Sequence, residues 1–287
     1  MDRPAATTAV SAFEVDGDVS RSASDLVATE EPLEIRVVLG HQTQPAAVTM
    51  RTPGADFELA VGFLFSEGVI RSREAVRKLS YCVDRAVDEE QRFNIVNVEL
   101  VPGSEFDASP LERHFSITSA CGVCGKTSLD ALRMRGQEAI TSSVRVDRDV
   151  LSGLAAKLRA AQAVFESTGG LHAAGLFSHG GELSVVREDV GRHNAMDKLV
   201  GWSVLNGKIP LSDSVVLFSG RASFELVQKA LTAGIPVVCS VSAPSSLAVD
   251  VASSFGITLV GFLRGERFKV YAHPERLGLS DRQSLLA

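Results

Sequence analysis

Two cysteines three positions apart, Cys121 and Cys124, stand in the stretch TSACGVCGKTS, followed by Gly122 and Gly125 respectively, with Lys126 close by. Sulfur at this spacing can bind a metal, cycle through a disulfide or carry a transferable sulfur atom. The thiolate is the reactive form. The second cysteine, the Lys126 ammonium and the exposed amides of Gly122 and Gly125 all favour ionisation, most of all at Cys121 if the loop turns it outward. A structural zinc site wants four ligands as two close pairs, and the chain has no second Cys-x-x-Cys or His pair. A thioredoxin-like pair opens a helix after a strand, whereas this one follows the Pro-rich connector PGSEFDASP. A loop pair with no chemical role is the plain alternative. Cys82 and Cys239 sit singly in apolar stretches and are expected to be small core residues.

Charge gathers at three further places. REDVGRHNAMDK brings Arg187, Glu188, Asp189, Arg192, His193, Asn194, Asp197 and Lys198 into one strand-to-helix turn. Such a run is often no more than a solvated face. Its position, where a strand's carboxyl end meets a helix's amino end, also suits an anionic or polar ligand. Ser219-Gly220-Arg221 repeats that geometry, and GFLRGERF adds Arg264 and Arg267 around a glycine. Three strand ends carrying glycine and arginine suggest a pocket for a phosphate-bearing nucleotide, because guanidinium grips phosphate through two hydrogen bonds. TGGLHAAG has the layout of zinc nucleotide deaminases, but alanine at 174 replaces the acid of their H-x-E motif, and SGRASFELV lacks their cysteines. His172 is then a polar group on a pocket wall or simply a helix-end residue.

The elements that must position these groups follow from periodicity. Residues 1–25 are small, polar and aperiodic, and are expected to form a disordered arm, with ordered structure beginning near Leu33. Residues 26–115 predict a small α+β domain: strands LEIRVVL and AAVTMRT, a helix over DFELAVGFLFSEG, then strands VRKLSYCV and FNIVNVEL. Residues 116–140 form the cysteine-bearing loop. From 141 to 287 strands alternate with helices, beginning with one helix from Val150 to Ser167, so the expected fold is α/β with parallel strand pairs and helices on the sheet faces.

Composition narrows the function classes. With 287 residues, 45% of them hydrophobic, the chain can bury a real core without staples. Four cysteines are too few and too scattered for a secreted disulfide framework, which fits a reducing, cytoplasmic setting. The early acids and absence of an apolar run at the start argue against a secretory signal. No stretch approaches the roughly 20 apolar residues a spanning helix needs, so membrane insertion is not expected. A net charge of -6 argues against nucleic acid as a partner.

Taken together, CGVCGK, TGGLHAAGLF, REDVGRHNAMDK, FSGRASFELVQKA and GFLRGERFKVY, in that order from about Leu33 onward, resemble the formate dehydrogenase accessory proteins of the FdhD type. The resemblance implies a sulfurtransferase: a cysteine desulfurase loads Cys121 with a persulfide, Cys124 resolves or relays it, and the sulfur passes to the Mo-bis(molybdopterin guanine dinucleotide) cofactor, or its tungsten equivalent, that formate dehydrogenase requires. It further implies that the cofactor binds at Phe262, Leu263, Arg264, Gly265, Glu266 and Arg267, that GDP mimics a fragment of it, that no metal is held by the chain itself, and that the protein is a homodimer. The C-terminal part would be a three-layer domain like cytidine deaminase with its metal ligands lost. Two other readings remain: a cofactor-binding chaperone that transfers no sulfur, and a zinc-binding deaminase-like protein.

Overall fold

The computed structural model of the chain describes residues 4–84, 86–89, 91–103, 129, 132–133 and 136–279. Its centre is a six-stranded mixed sheet in the order β12-β11-β10-β9-β7-β8, made of β7 (His172–Ser178), β8 (Leu183–Asp189), β9 (Ser214–Phe218), β10 (Val237–Ser240), β11 (Thr258–Arg264) and β12 (Arg267–Ala272). The middle strands β9, β10 and β11 are parallel, and antiparallel partners flank them, β12 on β11 and β7 then β8 on β9. The parallel pairs arise where helices intervene, as expected: α5 (Phe224–Thr232) links β9 to β10, and α6 (Ser246–Ser254) links β10 to β11.

Alternation along the strands sends side chains to both faces. Ala174, Leu176, Val216, Phe218, Val238 and Leu259 enter the core beneath α4 (Arg192–Leu205), α5 and α6. Ala173, Phe177, Val215, Leu217, Val237, Cys239 and Val260 point the other way, onto Leu151, Leu154 and Leu158 of α2 (Arg148–Ala160). The sheet is therefore sandwiched between helices, and its central strands read as near-continuous apolar runs because both sides are covered. Cys82 and Cys239 are both buried, in line with the core role expected for them. Burial in apolar surroundings pushes the Cys239 thiol far above its ordinary range, so it is inert as a nucleophile.

The second layer set comes from the first part of the chain. Strands β3 (Glu31–Leu39), β4 (Gln42–Arg51), β5 (Val76–Tyr81) and β6 (Ile95–Leu100) form a four-stranded sheet in the order β4-β3-β6-β5. Leu33, Ile35, Val37, Val96, Val98 and Leu100 share one core with Leu59, Val61 and Leu64 of α1 (Asp56–Ser66) and with α4. Helix α1 thus lies between the small sheet and α4, and the two sheets have a common interior. The close approach is made by two glycines in mid-helix. A Cβ added at Gly62 would fall 1.8 Å from the Asp197 carbonyl oxygen, and one at Gly201 would fall 1.8 Å from that of Glu58. Only hydrogen at both positions allows the two backbones to touch.

Two expectations are overturned. Residues 1–25 do not form a disordered arm: β1 (Thr7–Asp16) and β2 (Val19–Ala28) make a ten-pair antiparallel hairpin, and β3 follows at Glu31, ahead of Leu33. The polar composition concealed a Gly-Asp turn signal. Gly17, at φ 57°, takes the first of the two loop positions, as hairpin turns of the primed types require. The ribbon leaves Phe13, Val15 and Val19 exposed, so its ladder rather than a core defines it. The single helix from Val150 to Ser167 is also interrupted. It ends at Ala160, and α3 (Ala163–Thr168) starts afresh after Gln162. The carboxylate of Glu188 on β8 accepts hydrogen bonds from the free amides of Val164 (3.1 Å) and Phe165 (2.8 Å), satisfying the new helix start through a tertiary contact that apolar spacing does not reveal.

Candidate functional site

Strand direction places the charged motifs together. The carboxyl ends of β8, β9, β10 and β11 and the amino ends of β7 and β12 lie along one edge of the large sheet. That edge carries Asp189 to Arg192, Ser219 to Ser223, Ser240 to Ser245, the turn from Phe262 to Arg267, and His172. Helices α4, α5 and α6 all begin there, so their amide-rich ends face the same side. The loops are tied to one another: the Phe262 amide donates to Ser242 O (3.0 Å), Ala222 to Ala243 O (3.2 Å), and Ser245 to Ala222 O (3.0 Å). A ligand at this edge would meet a rigid rim.

The stretch from Phe262 to Arg267 is the β11–β12 turn. Arg264 and Arg267 face each other as the last cross-strand pair, and Gly265, at φ 56°, and Glu266 close the two-residue loop. Arg264, Gly265, Glu266 and Arg267 are all exposed, and neither arginine has a carboxylate partner among the described residues. Phe262 is held at φ 54°, a left-handed conformation costing a non-glycine residue about 1–3 kcal/mol, at a bulge in the ladder. The result is a phenylalanine 37% exposed in the same turn as the two arginines, with the Lys269 ammonium 5.3 Å from its ring centroid. An aromatic platform and two guanidiniums can stack on a base and grip a phosphate. Leu263 is the exception in this set: its side chain is wholly buried against α2's face of the sheet, leaving only its backbone for a ligand.

The run REDVGRHNAMDK divides in two. Most of it is neither a solvated face nor a ligand site but the seam between the two sheets. Lys198 pairs with Asp189 at 2.7 Å and donates to Thr52 O at 2.8 Å, both charged side chains being fully enclosed. Asp189 also accepts from the amides of Thr52 (3.2 Å) and Gly191 (2.8 Å) and from Asn194 Nδ2 (3.0 Å). Asn194 in turn donates to Met50 O (2.7 Å). Arg187 makes a two-pronged ion pair with Glu58 of α1. Asp197 accepts from Lys229 Nζ (2.8 and 3.0 Å) and Ser66 Oγ (3.0 Å). Burial works against the Lys229 ammonium, but Asp197 and Glu67 outweigh it and hold its pKa above the ordinary value. The buried pair Arg51–Asp56 (3.1 Å) anchors the start of α1 to β4 in the same way.

Arg192 and His193 belong instead to the edge. His193 Nε2 lies 3.2 Å from Ser223 Oγ and 3.7 Å from Glu225. Hydrogen bonding to His193 pulls the Glu225 carboxyl down to about 2. His172, the first residue of β7, packs against Gly220, and burial, then Arg192, His193 and Arg221, lower its pKa, so the ring is neutral at neutral pH. His172 opens a strand, so the helix-end reading of it does not hold. Ser219 Oγ accepts from the Ala173 amide (2.8 Å), locking that strand end. Cys121, Cys124 and Lys126 lie outside the described residues. Among those described, no cluster of three or more His, Cys, Asp or Glu suits a metal ion, and no helix is long and apolar enough to cross a membrane.

Sequence reading missed the seam because its partners are far apart along the chain: Asp189 meets Thr52 and Lys229 meets Asp197 with no local spacing to announce them. The one available signal was the pair of mid-helix glycines, each costing about 1 kcal/mol relative to alanine and therefore marking close packing.

Known proteins bear on this arrangement in three ways. The chain is 54% identical over 266 residues to the sulfur carrier protein FdhD of Streptomyces coelicolor, covering 92% of this chain and 93% of that one. It is 51% identical over 257 residues to the protein of the same name from Mycobacterium tuberculosis, covering 88% and 92%. The fold matches the crystal structure of a protein described as a formate dehydrogenase accessory protein from Desulfotalea psychrophila, with a TM-score of 0.72 at 25% identity over 94% of this chain and 99% of that one. A model of the FdhD/NarQ family matches residues 28–278, the span that holds the sulfur pair, the seam and the whole sheet edge, and the chain belongs to that family.

Proposed function

We propose that the protein is a sulfur carrier that serves formate dehydrogenase. In this reading Cys121 accepts a persulfide sulfur from a cysteine desulfurase, Cys124 resolves or relays it, and the sulfur passes to Mo-bis(molybdopterin guanine dinucleotide) bound at the carboxyl edge of the large sheet. The observation that carries it is membership of the FdhD/NarQ family across a span that contains the Cys-x-x-Cys pair, with close relatives named as sulfur carriers. Loading balances without an oxidant: the thiolate of Cys121 attacks the terminal sulfur of the donor's persulfide and the donor's cysteine leaves as thiolate. In delivery Cys124 attacks Cys121 Sγ, the outer sulfur leaves as sulfide, and the Cys121–Cys124 disulfide so formed is reduced by a cellular thiol before the next round.

The edge supports the second half of the reading. Phe262, Arg264 and Arg267 form the aromatic and cationic turn that a guanine nucleotide's base and phosphates require, and GDP would occupy it as a fragment of the cofactor. The protein works as a homodimer in the cytoplasm in this reading, a setting that suits free, uncrosslinked thiols.

Intact-protein mass spectrometry tests the carrier step. Incubation with a desulfurase and cysteine should add one sulfur to the wild type and none to Cys121→Ser, and formate dehydrogenase matured with the variant should be inactive. A Cys121→Ser protein that still gains and delivers sulfur rejects the proposal. Normal maturation without a sulfur gain on the wild type would favour a chaperone that only shelters the cofactor.

A further inference from the structure

Arg192 is the least satisfied cation at the sheet edge. Its Nε is sealed from solvent and has no hydrogen-bond partner among the described residues, although a buried charged donor left unpaired costs more than the about 1–3 kcal/mol of a neutral one. The acceptors nearby are already engaged. Asp189 is taken by Lys198, Thr52, Gly191 and Asn194, and Glu225 is held by His193. Arg221, exposed at the turn after β9, has no carboxylate partner among the described residues either. His172 packs against Gly220, the neighbour of Arg221, and His193, the neighbour of Arg192, lies 3.2 Å from Ser223 Oγ in that same turn, so these groups gather at one place. That ring is neutral, as burial and the neighbouring cations demand, and can hydrogen-bond without adding charge. The amino-terminal amides of α4 and α5 open onto the same place.

This cluster is remote from the arginine turn. Arg221 follows β9, two strands from β11, while His172 and Arg192 belong to β7 and the end of β8, three and four strands away. At about 4.8 Å per strand the separation is roughly 10–19 Å, more than one phosphate can bridge.

We infer that Arg192, Arg221 and His172 form a second anion subsite, which takes a diphosphate group independently of the Arg264–Arg267 turn. Two guanidiniums, each able to bind one phosphoryl group through a pair of hydrogen bonds, match a diphosphate better than a single phosphate or carboxylate. The inference deepens the reading above by naming the part of the guanine-bearing cofactor that this side of the edge holds.

The test is calorimetric titration of the full chain with inorganic pyrophosphate, alongside GDP, and an NMR titration of the His172 imidazole. Pyrophosphate should bind the wild type saturably and at least about tenfold more weakly to Arg192→Met and to Arg221→Met, a loss of about 1.4 kcal/mol. The double variant Arg264→Ala, Arg267→Ala should bind pyrophosphate like the wild type and should bind GDP no more tightly than pyrophosphate. Bound pyrophosphate should raise the His172 pKa by offsetting the arginine charges. No saturable binding, wild-type affinity in either methionine variant, loss of pyrophosphate binding in the turn variant, or an unmoved His172 would each overturn the assignment. Arg221 is exposed, so its variant carries the test even if Arg192→Met fails to fold. Sulfur transfer is not read, so failure of the Cys121 experiment leaves this result standing, and the reverse holds too.

Discussion

The seam between the two sheets and the carboxyl edge of the large sheet are built from the same residue types, in part from the same twelve-residue run, and do opposite things. At the seam the enclosed charges each have a dedicated counter-charge: Lys198 with Asp189, Lys229 with Asp197, Arg51 with Asp56. At the edge Arg192, Arg221, Arg264 and Arg267 have none among the described residues. A buried pair that is complete fixes how two layers sit, because losing either member strands a charge in a low-dielectric interior. A cation without a partner at a strand end keeps its hydrogen bonds for something that arrives. The number of charges in a motif therefore says little, and the pairing of each one says a great deal.

The sharpest way to break this comparison is to remove one cation from each region. Lys198→Met strands Asp189 and should cost about 3–5 kcal/mol of unfolding free energy in a urea titration, whereas Arg221→Met should change it by no more than about 0.5 kcal/mol. Equal costs would mean that the edge is structural as well. Next in size, Gly201→Ala drives a methyl into the Glu58 carbonyl and should destabilise by about 3 kcal/mol. Thermal unfolding measures it, and a neutral result would show that α1 and α4 do not need their backbones in contact.

The smallest effect concerns Glu225, which sits at the edge yet is paired. Its folded-state pKa, about 2, is below the ordinary 4.5, so its pairing with His193 adds stability above pH 4.5 and loses it as pH falls toward 2. The carboxylate is more than half exposed, which holds the contribution under about 1 kcal/mol. Glu225→Gln should accordingly be slightly less stable than the wild type at pH 6, with the difference closing between pH 4.5 and 2. A gap that persists at the acid end would assign the effect to packing.

Much of the architecture was legible beforehand, for identifiable reasons. Strands of the large sheet such as SVVLFS and PVVCS announce themselves as short apolar runs because helices cover both their faces, and helix α1 shows an apolar stripe at Phe57, Val61, Leu64 and Phe65, with Phe57 half-buried and the other three buried. The hairpin over residues 7–28 was hidden because a ribbon without a core need not be apolar, and the break at Gln162 because Glu188, on a later strand, supplies the cap. For the candidate site, the glycine and arginine strand ends were visible, but their sharing one edge followed from strand direction alone. Which charges were spoken for was not visible at all: Asp189, Asn194, Asp197 and Lys198 look no different in the sequence from Arg192 and His193.

By itself the sequence determined chemistry and period: a Cys-x-x-Cys pair set among glycines, arginines beside glycines at strand ends, and the alternation of strand and helix that demands an α/β sheet. These are properties of residue type and local spacing, which the chain carries before it folds. Only the tertiary structure decided which charges neutralise one another, because a counter-charge is chosen by proximity in space. Thr52 and Asp189, 137 residues apart, share a hydrogen bond, while Arg192, three positions beyond Asp189, is left with none at its Nε.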